Sequence, residues 1–248
     1  MSALSKLRDD ARVLWHLMRG QRRHGTHAER LQAFYGPQAD RYDAFRERLL
    51  HGRAELIARL IAMLGARHTG ATLIELGGGT GRNLDFLGPA LTQFGRIELV
   101  DLCPALLERA RARWAASPNV HIVEADVVTY RPAMPADALY FSYALTMIPD
   151  WRGAIDNALA MLRPGGCFGV VDFYVSAAAP PADQVRHGRI TRAFWPRWFA
   201  HDGVMLGPER LALLRERLPR HELIERRAPV PYLPSLRVPY FLFLGIKD

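Results

Sequence analysis

The feature that most constrains this chain is a short apolar run, Ala71 to Leu76, that opens directly into Gly77-Gly78-Gly79-Thr80-Gly81 and then into a helical pattern. Glycine adopts backbone angles closed to other residues and brings no side chain, so such a cluster lets a strand turn sharply and lets backbone approach a ligand. Glycine clusters also end strands for turn geometry alone, and that reading stays open here. Spacing excludes two familiar nucleotide loops: position 82 is Arg where a dinucleotide fingerprint needs its third glycine, and no Gly-Lys-Ser/Thr follows.

The same rhythm continues downstream. Short runs rich in β-formers (RIELVD, NVHIVEAD, DALYFSYAL and GCFGVVDFYV) alternate with helical patterns at Gly81 to Leu91, Pro104 to Ala116 and Trp151 to Leu162. Strand and helix alternating at this pitch predict a parallel, doubly wound α/β sheet. After Val175 the alternation lapses. An Ala-Ala-Ala-Pro-Pro link at 177–181 leads into a segment rich in aromatics and arginine, Ala182 to Pro219, with a helix over Pro208 to Leu218. Two last strand-like runs, His221 to Pro229 and Val238 to Ile246, suit an antiparallel edge.

Upstream, Leu4, Leu7, Ala11, Leu14 and Met18 alternate spacings of three and four among charged residues, predicting an amphipathic helix over 3–19. Further helical patterns cover 28–34 and 38–64, broken at Gly36-Pro37 and Gly65. The chain therefore divides into a helical extension, 1–65, and an α/β domain, 66–248, carrying an aromatic and basic insertion at 176–220.

Composition sets the outer bounds. A chain of 248 residues, 49% apolar and 23% charged, buries a sizeable core and is neither disordered nor a disulfide scaffold. Cys103 and Cys167 stand far apart with no ligand cluster around them, so no metal site is expected. No secretory pattern opens the sequence, and no stretch approaches the roughly 20 apolar residues a spanning helix needs, so a cytoplasmic location is expected. Lys and Arg total 33 against 25 Asp and Glu, a formal net charge of +8, which points to an anionic partner or simply to solubility.

In an open α/β sheet ligands gather at the carboxyl ends of the strands, and three such ends carry chemistry. Asp101 closes the second strand, where an acid can accept both hydroxyls of a ribose diol, and Asp126 closes the third; each alone can equally cap a helix. Together with Glu75 to Gly81 and Leu162-Arg163-Pro164-Gly165-Gly166, they resemble the motifs of class I S-adenosylmethionine-dependent methyltransferases over about residues 70–175. That resemblance implies a Rossmann-like fold: a mostly parallel seven-stranded sheet with an antiparallel carboxyl-terminal edge. It also implies S-adenosylmethionine as cofactor, released as S-adenosylhomocysteine. By the same resemblance Gly77, Gly79 and Gly81 lie under the methionine moiety with Glu75, and Asp101 holds the ribose. Asp126 contacts the adenine amine, with Leu102 and Val127 flanking the ring. Thr80 and Asn83 suit the amino-acid end. Tyr42 is similar to a tyrosine many members fold over the cofactor, or is a core aromatic.

Residues after the fourth strand narrow the choice of acceptor. Enzymes that methylate base amines carry Asn/Asp-Pro-Pro-Tyr/Phe there, whereas this chain has Ser142-Tyr143-Ala144-Leu145-Thr146-Met147-Ile148-Pro149, and its basic residues form no compact stripe for nucleic acid. SYALTMIPDW, PRWFAHDGV and VPYLPSLRVPYFLFLGIK resemble the methyltransferase part of betaine-lipid synthases. Members of that group trimethylate the amine of diacylglyceryl-homoserine. The resemblance implies a peripheral enzyme at the inner face of an anionic membrane, supplied by a separate aminocarboxypropyl-transferring enzyme.

Methyl transfer to an amine needs an aligned lone pair and exclusion of water more than a strong base. Ser142 and Tyr143 are the expected acceptors of amine hydrogens, and Asp150 the group facing the developing ammonium. Tyr35 and Trp151 are candidate cation-stabilising faces. Arg186, Arg189 and Arg192 are candidate partners of a head-group carboxylate, or solvated charges. Trp195 and Trp198, with Phe194 and Phe199, line a pocket for an amphiphile, or are simply the packing face of a helix. The amphipathic amino-terminal helix lies on the membrane or packs over the cofactor site. Two other classes remain: methylation of a quinone or other small lipophilic acceptor, and a cofactor-binding scaffold without turnover.

Overall fold

The structure is a computed structural model that describes residues 48–200, 203–231 and 233–248. The expected helices over 3–19 and 28–34, the start of the third, and Tyr35 and Tyr42 lie outside the described residues.

Seven strands form one sheet: β1 (Thr72–Leu76), β2 (Arg96–Asp101), β3 (Val120–Glu124), β4 (Ala136–Ser142), β5 (Leu162–Phe173), β6 (His221–Val230) and β7 (Leu233–Ile246), in the order β3-β2-β1-β4-β5-β7-β6. The first five pair in parallel, while β7 runs antiparallel between β5 and β6. β1 and β4 are buried along their whole lengths, which is why TLIEL and ADALYFS read as near-continuous apolar runs rather than alternating ones. β3, at the edge, is only half buried and carries His121 and Glu124.

Helices cover both faces. Leu56, Ile57, Leu60 and Leu64 recur at helical spacing along α1 (Arg53–Leu64) and join Leu73, Ile97, Leu99, Tyr140 and Val171 in one core layer. Leu107 and Ala110 of α2 (Pro104–Trp114) enter the same layer. The opposite layer sets α3 (Trp151–Met161) and α5 (Glu209–Arg217) against Ile74, Leu139, Phe141, Phe168 and Val170. A further helix, α4 (Arg189–Ala200), lies in the segment that departs from the strand–helix rhythm.

One expected element differs. Residues Arg82–Thr92 form 3-10 turns rather than an α-helix, kinked where Gly88 takes φ 51° ahead of Pro89. Proline disfavours helical angles at the residue before it and supplies no N–H, so a Gly-Pro pair breaks a regular ladder here.

The order of strands reverses between β1 and β4, which are direct neighbours with Leu76 paired to Phe141. Their carboxyl ends therefore open the crevice where ligands of such sheets bind.

Candidate active site

The glycine loop is built from backbone. After β1 the chain turns with Gly77, Gly79 and Gly81 all at positive φ, 72°, 56° and 70°, angles that cost other residues a clash at Cβ. Space is short as well: a Cβ at Gly77 would lie 2.6 Å from Ala144 Cβ, and one at Gly78 would lie 2.6 Å from Leu99. The amides of Gly77 and Gly78 donate to Val100 O at 2.8 and 3.2 Å. The loop thus closes against the segment that follows β4.

Asp101 fastens the loop from the next strand. Its Oδ2 accepts the Gly79 amide at 2.8 Å and its Oδ1 the Cys103 amide at 2.8 Å. The carboxylate is thus oriented at the rim of the glycine turn, with Leu102 half-buried beside it. Asp126 is exposed past the end of β3, where its Oδ1 accepts the Val128 amide at 2.9 Å and so shapes the turn that buries Val127. Both acids shape the local turns at the carboxyl ends of their strands.

Beneath the loop runs a polar relay. Arg53 Nη1 donates to Asn83 Oδ1 at 3.0 Å, and Asn83 Nδ2 donates to Glu75 Oε1 at 2.6 Å. Glu75 is fully buried and supports the loop from below through Asn83. Leu50, Arg53, Gly77, Gly78, Thr80, Arg82 and Asn83 line one small polar cleft. Arg53 is absent from the sequence-based expectations, since an arginine on the first turn of a helix reads as a surface charge. Gly52 at φ 83° brings the helix start so close to Tyr240 that a Cβ there would lie 2.8 Å from its ring, and this pins Arg53 over the cleft.

At the end of β4, Ser142 Oγ is buried with no hydrogen-bond partner. Tyr143, next along, has φ 54°, an uncommon angle for a residue with a bulky side chain, and its hydroxyl donates to His51 O at 2.6 Å. Burial holds this phenol well above its usual range, with the Asp172 carboxylate adding to the effect. The hydrogen of the Tyr143 hydroxyl is thus committed to the α1 approach while its oxygen can still accept, and Ser142 Oγ beside it has no partner among the described residues. Asp150 is corrected, for its Oδ1 accepts the Gly153 amide at 2.9 Å and caps α3. Trp151 lies under the guanidinium groups of Arg152 and Arg210, 4.3 and 5.0 Å from its ring, and belongs to the α3 and α5 side.

The loop after β4 is clamped by two residues that the sequence-based expectations omit. Buried Asp172 accepts from the Thr146 amide at 3.1 Å, from Thr146 Oγ1 at 2.8 Å and from the Phe173 amide at 2.8 Å. Burial pushes its carboxyl up to about 6, and the Thr146 hydrogen bonds hold it from rising further. Arg210 Nε donates to Leu145 O at 3.0 Å and Nη1 to Met205 O at 2.7 Å. A carboxylate inside the apolar run GCFGVVDFYV is the signal that marks Asp172, since a buried charge needs a specific job.

From Tyr143 a chain of aromatic rings leads outward: Phe173 at 4.6 Å, Phe199 at 5.0 Å from Phe173, Trp195 at 5.8 Å from Phe199, then Phe194 and Trp198 at 4.9 and 6.4 Å. Trp195 and Phe199 form the buried face of α4, while Trp198 sits on its outer face. Arg186 and Arg189 are exposed; Arg192 is half-buried, and its Nε is buried with no partner. Of the three arginines, Arg192 is the one that α4 partly buries.

A family model described as a methyltransferase domain matches residues 49–224. The trans-aconitate 2-methyltransferase of Enterobacter sp. strain 638 is 32% identical over 117 residues, 47% of this chain and 43% of that protein. A ubiquinone/menaquinone biosynthesis C-methyltransferase of Pseudomonas savastanoi pv. phaseolicola strain 1448A / Race 6 is 27% identical over 154 residues, 59% of each. The chain spans about half the length of the curated relatives it matches. The crystal structure of the N-methyltransferase NodS from Bradyrhizobium japonicum WM9 with S-adenosyl-L-homocysteine superposes with a TM-score of 0.56 at 19% identity, covering 78% of this chain and 86% of that one, a likeness of fold.

Proposed function

This chain belongs to the methyltransferase-domain family, and from that premise we propose that it uses S-adenosylmethionine to methylate the amine of an amphiphile, diacylglyceryl-homoserine, in three steps to a betaine lipid. The observation that carries the reading is the aromatic chain that begins at Tyr143, beside the buried and unpartnered Ser142 Oγ, and ends on the surface of α4. A small polar acceptor needs no such surface, whereas an acceptor with an apolar body and a polar end does.

The residues present suit the cofactor. A glycine cradle that a Cβ would fill leaves room for close backbone approach, and Asp101 is oriented to accept ribose hydroxyls. Leu102 and Val127 would flank the base, with Asp126 toward its amine. Thr80, Asn83 and Arg53 line the cleft suited to the amino-acid end, where Arg53 offers charge to a carboxylate. Bound there, S-adenosylmethionine supplies an electrophilic methyl group.

The chain's own part is orientation. Ser142 Oγ accepts an N–H of the neutral amine and turns its lone pair toward the crevice, while Arg192 Nε takes the head-group carboxylate. Tyr143, Phe173, Phe199 and Trp195 exclude water from the approach, which removes the hydration that would mask the lone pair. Such an enzyme works at the inner face of a membrane on the product of a separate aminocarboxypropyl transferase.

Incubation of the purified protein with labelled S-adenosylmethionine and diacylglyceryl-homoserine in mixed micelles, read by lipid mass spectrometry, is expected to give successive methyl-sized increments that Asp101→Ala abolishes. No product from a protein that binds S-adenosylhomocysteine would overturn the acceptor. The match to a C-methyltransferase of quinone biosynthesis favours one second reading, transfer to a lipophilic ring acceptor, for which a prenylated quinone precursor is the assay substrate.

A further inference from the structure

The two faces of α4 are built for different surroundings. Its inner face, Trp195 and Phe199, closes on Phe173, but Ile190, Phe194 and Trp198 recur every fourth residue on the outer face at 85%, 36% and 39% exposure. Met205, in the segment after the helix, is also 61% exposed, and its amide donates to Thr146 O at 2.8 Å in the loop after β4. Phe194 and Trp198 stand 5.4 Å apart, so the aromatic patch is contiguous.

The segment that carries this stripe is basic, with Glu225 reaching only its start at the Val185 amide. From Gln184 to Ala200 the sequence contains no Asp or Glu, while Arg186, Arg189 and Arg197 are exposed. Several surface arginines elsewhere are neutralised: Arg59 by Glu222, Arg215 by Asp183, Arg217 by Asp156 and Arg226 by Glu55. Arg197 Nη1 instead donates to the Ala193 carbonyl at 2.7 Å. Exposed apolar side chains interspersed with exposed arginines, in a segment without an acid of its own, meet two demands at once, burial and an anionic partner. A two-fold contact between copies of this chain would satisfy the first and oppose the second, since it would bring one arginine set against another.

We propose that the outer face of α4, with Met205, seats on an anionic phospholipid bilayer. Ile190, Phe194 and Trp198 enter the boundary between head groups and acyl chains, and Arg186, Arg189 and Arg197 take head-group phosphates. The inner face of the same helix then receives an amphiphile from the bilayer along rings that lead to Ser142. That last step rests on the lipid-amine reading of the site, whereas the docking itself does not.

The test is flotation of the full chain with vesicles of phosphatidylglycerol in phosphatidylcholine, against phosphatidylcholine alone. Binding to the anionic vesicles alone is expected. It should fall about tenfold in I190S/F194S/W198S and by about a hundredfold or more in R186E/R189E/R197E, both variants keeping the wild-type melting temperature. Equal flotation of wild type and both variants overturns the proposal, as does a wild type that floats with neither vesicle. A concentration-dependent dimer that the serine variant dissociates, with no vesicle binding, assigns the face to a second copy instead. No methyl transfer is read, so docking and the choice of acceptor fail independently.

Discussion

The crevice has two walls made in different ways. On the glycine side, the positions that matter are held by main chain: Gly77 and Gly78 by Val100 O, and Gly79 and Cys103 by the Asp101 carboxylate. On the α4 side the Tyr143 amide still joins the sheet, donating to Val171 O at 2.8 Å, but Phe199 and Trp195 of α4 meet Tyr143 and Phe173 of the strand ends ring against ring. A wall of backbone tolerates few residues at each position and leaves a motif in consecutive sequence. A wall of packed rings tolerates many arrangements and leaves only a composition.

Walls built so differently should fail separately. Trp195→Ala, which empties a buried ring site, should cost about 3–5 kcal/mol in denaturant unfolding yet leave S-adenosylhomocysteine affinity of the folded protein within about twofold. Gly77→Val should lower both readouts. Its Cβ would meet Ala144 at a position with φ 72°, which strains the fold, and calorimetric titration of the folded protein should show cofactor affinity falling by about a hundredfold, roughly 2.7 kcal/mol. If Trp195→Ala lowered cofactor affinity as far as Gly77→Val does, the walls would be one unit.

A third variant probes the clamp between them. In Asp172→Asn an amide replaces the oxygens that accept from Thr146 and Phe173, turning one acceptor into a donor and costing about 1–3 kcal/mol. Its pH dependence sharpens the point. The Asp172 carboxyl is raised by burial from 3.8 to about 6, so between those values the folded protein keeps a proton that the unfolded chain has released. Its contribution to stability is therefore full below about 3.8 and declines as pH rises through about 6. Thermal melts of Asp172→Asn across that window should lack this decline.

His187 slopes the other way. Burial is the main cause that lowers its imidazole from 6.5 to about 4, with Arg227 and Arg192 adding to it, while its Nδ1 accepts the Ser176 amide at 3.0 Å. Its contribution is present above about 6.5 and lost as pH falls toward about 4, because the unfolded chain takes the proton first. His187→Asn should flatten the acid limb that remains in the melts. The smallest effect is expected for Phe194→Ser, within about 0.5 kcal/mol of wild type in unfolding, because an outer-face side chain contributes little to the folded core. A larger loss would place that residue with the inner face.

Much of the frame was readable in advance. The strand runs at 72–76, 96–101 and 120–124, the crossover helices at 104–114 and 151–161, and the antiparallel edge all follow from periodicity and turn residues. Gly77, Gly79, Gly81 and Asp101 were legible for the same reason, since each answers to neighbours close in sequence or to a strand end. Misreading came where one residue type serves two ends: Asp150 is as good a helix cap as a charge partner. Tyr143 has two ends of its own, spending its hydroxyl hydrogen on His51 O while its oxygen can still accept. Arg53 and Arg210 were invisible, because a buried arginine looks like a surface one until the elements around it are assembled.

Thus the amino-acid order alone determined the alternation of strand and helix, the glycine turn and the acids that end the strands. Tertiary structure alone decided which hydroxyl at the end of β4 stays unpartnered, which arginine reaches the relay under the loop, and which face of α4 looks outward. A backbone turn is a property of consecutive residues, written where it occurs. A ring face or a buried ion exists only once segments distant in the chain lie side by side, and local sequence carries no record of that distance.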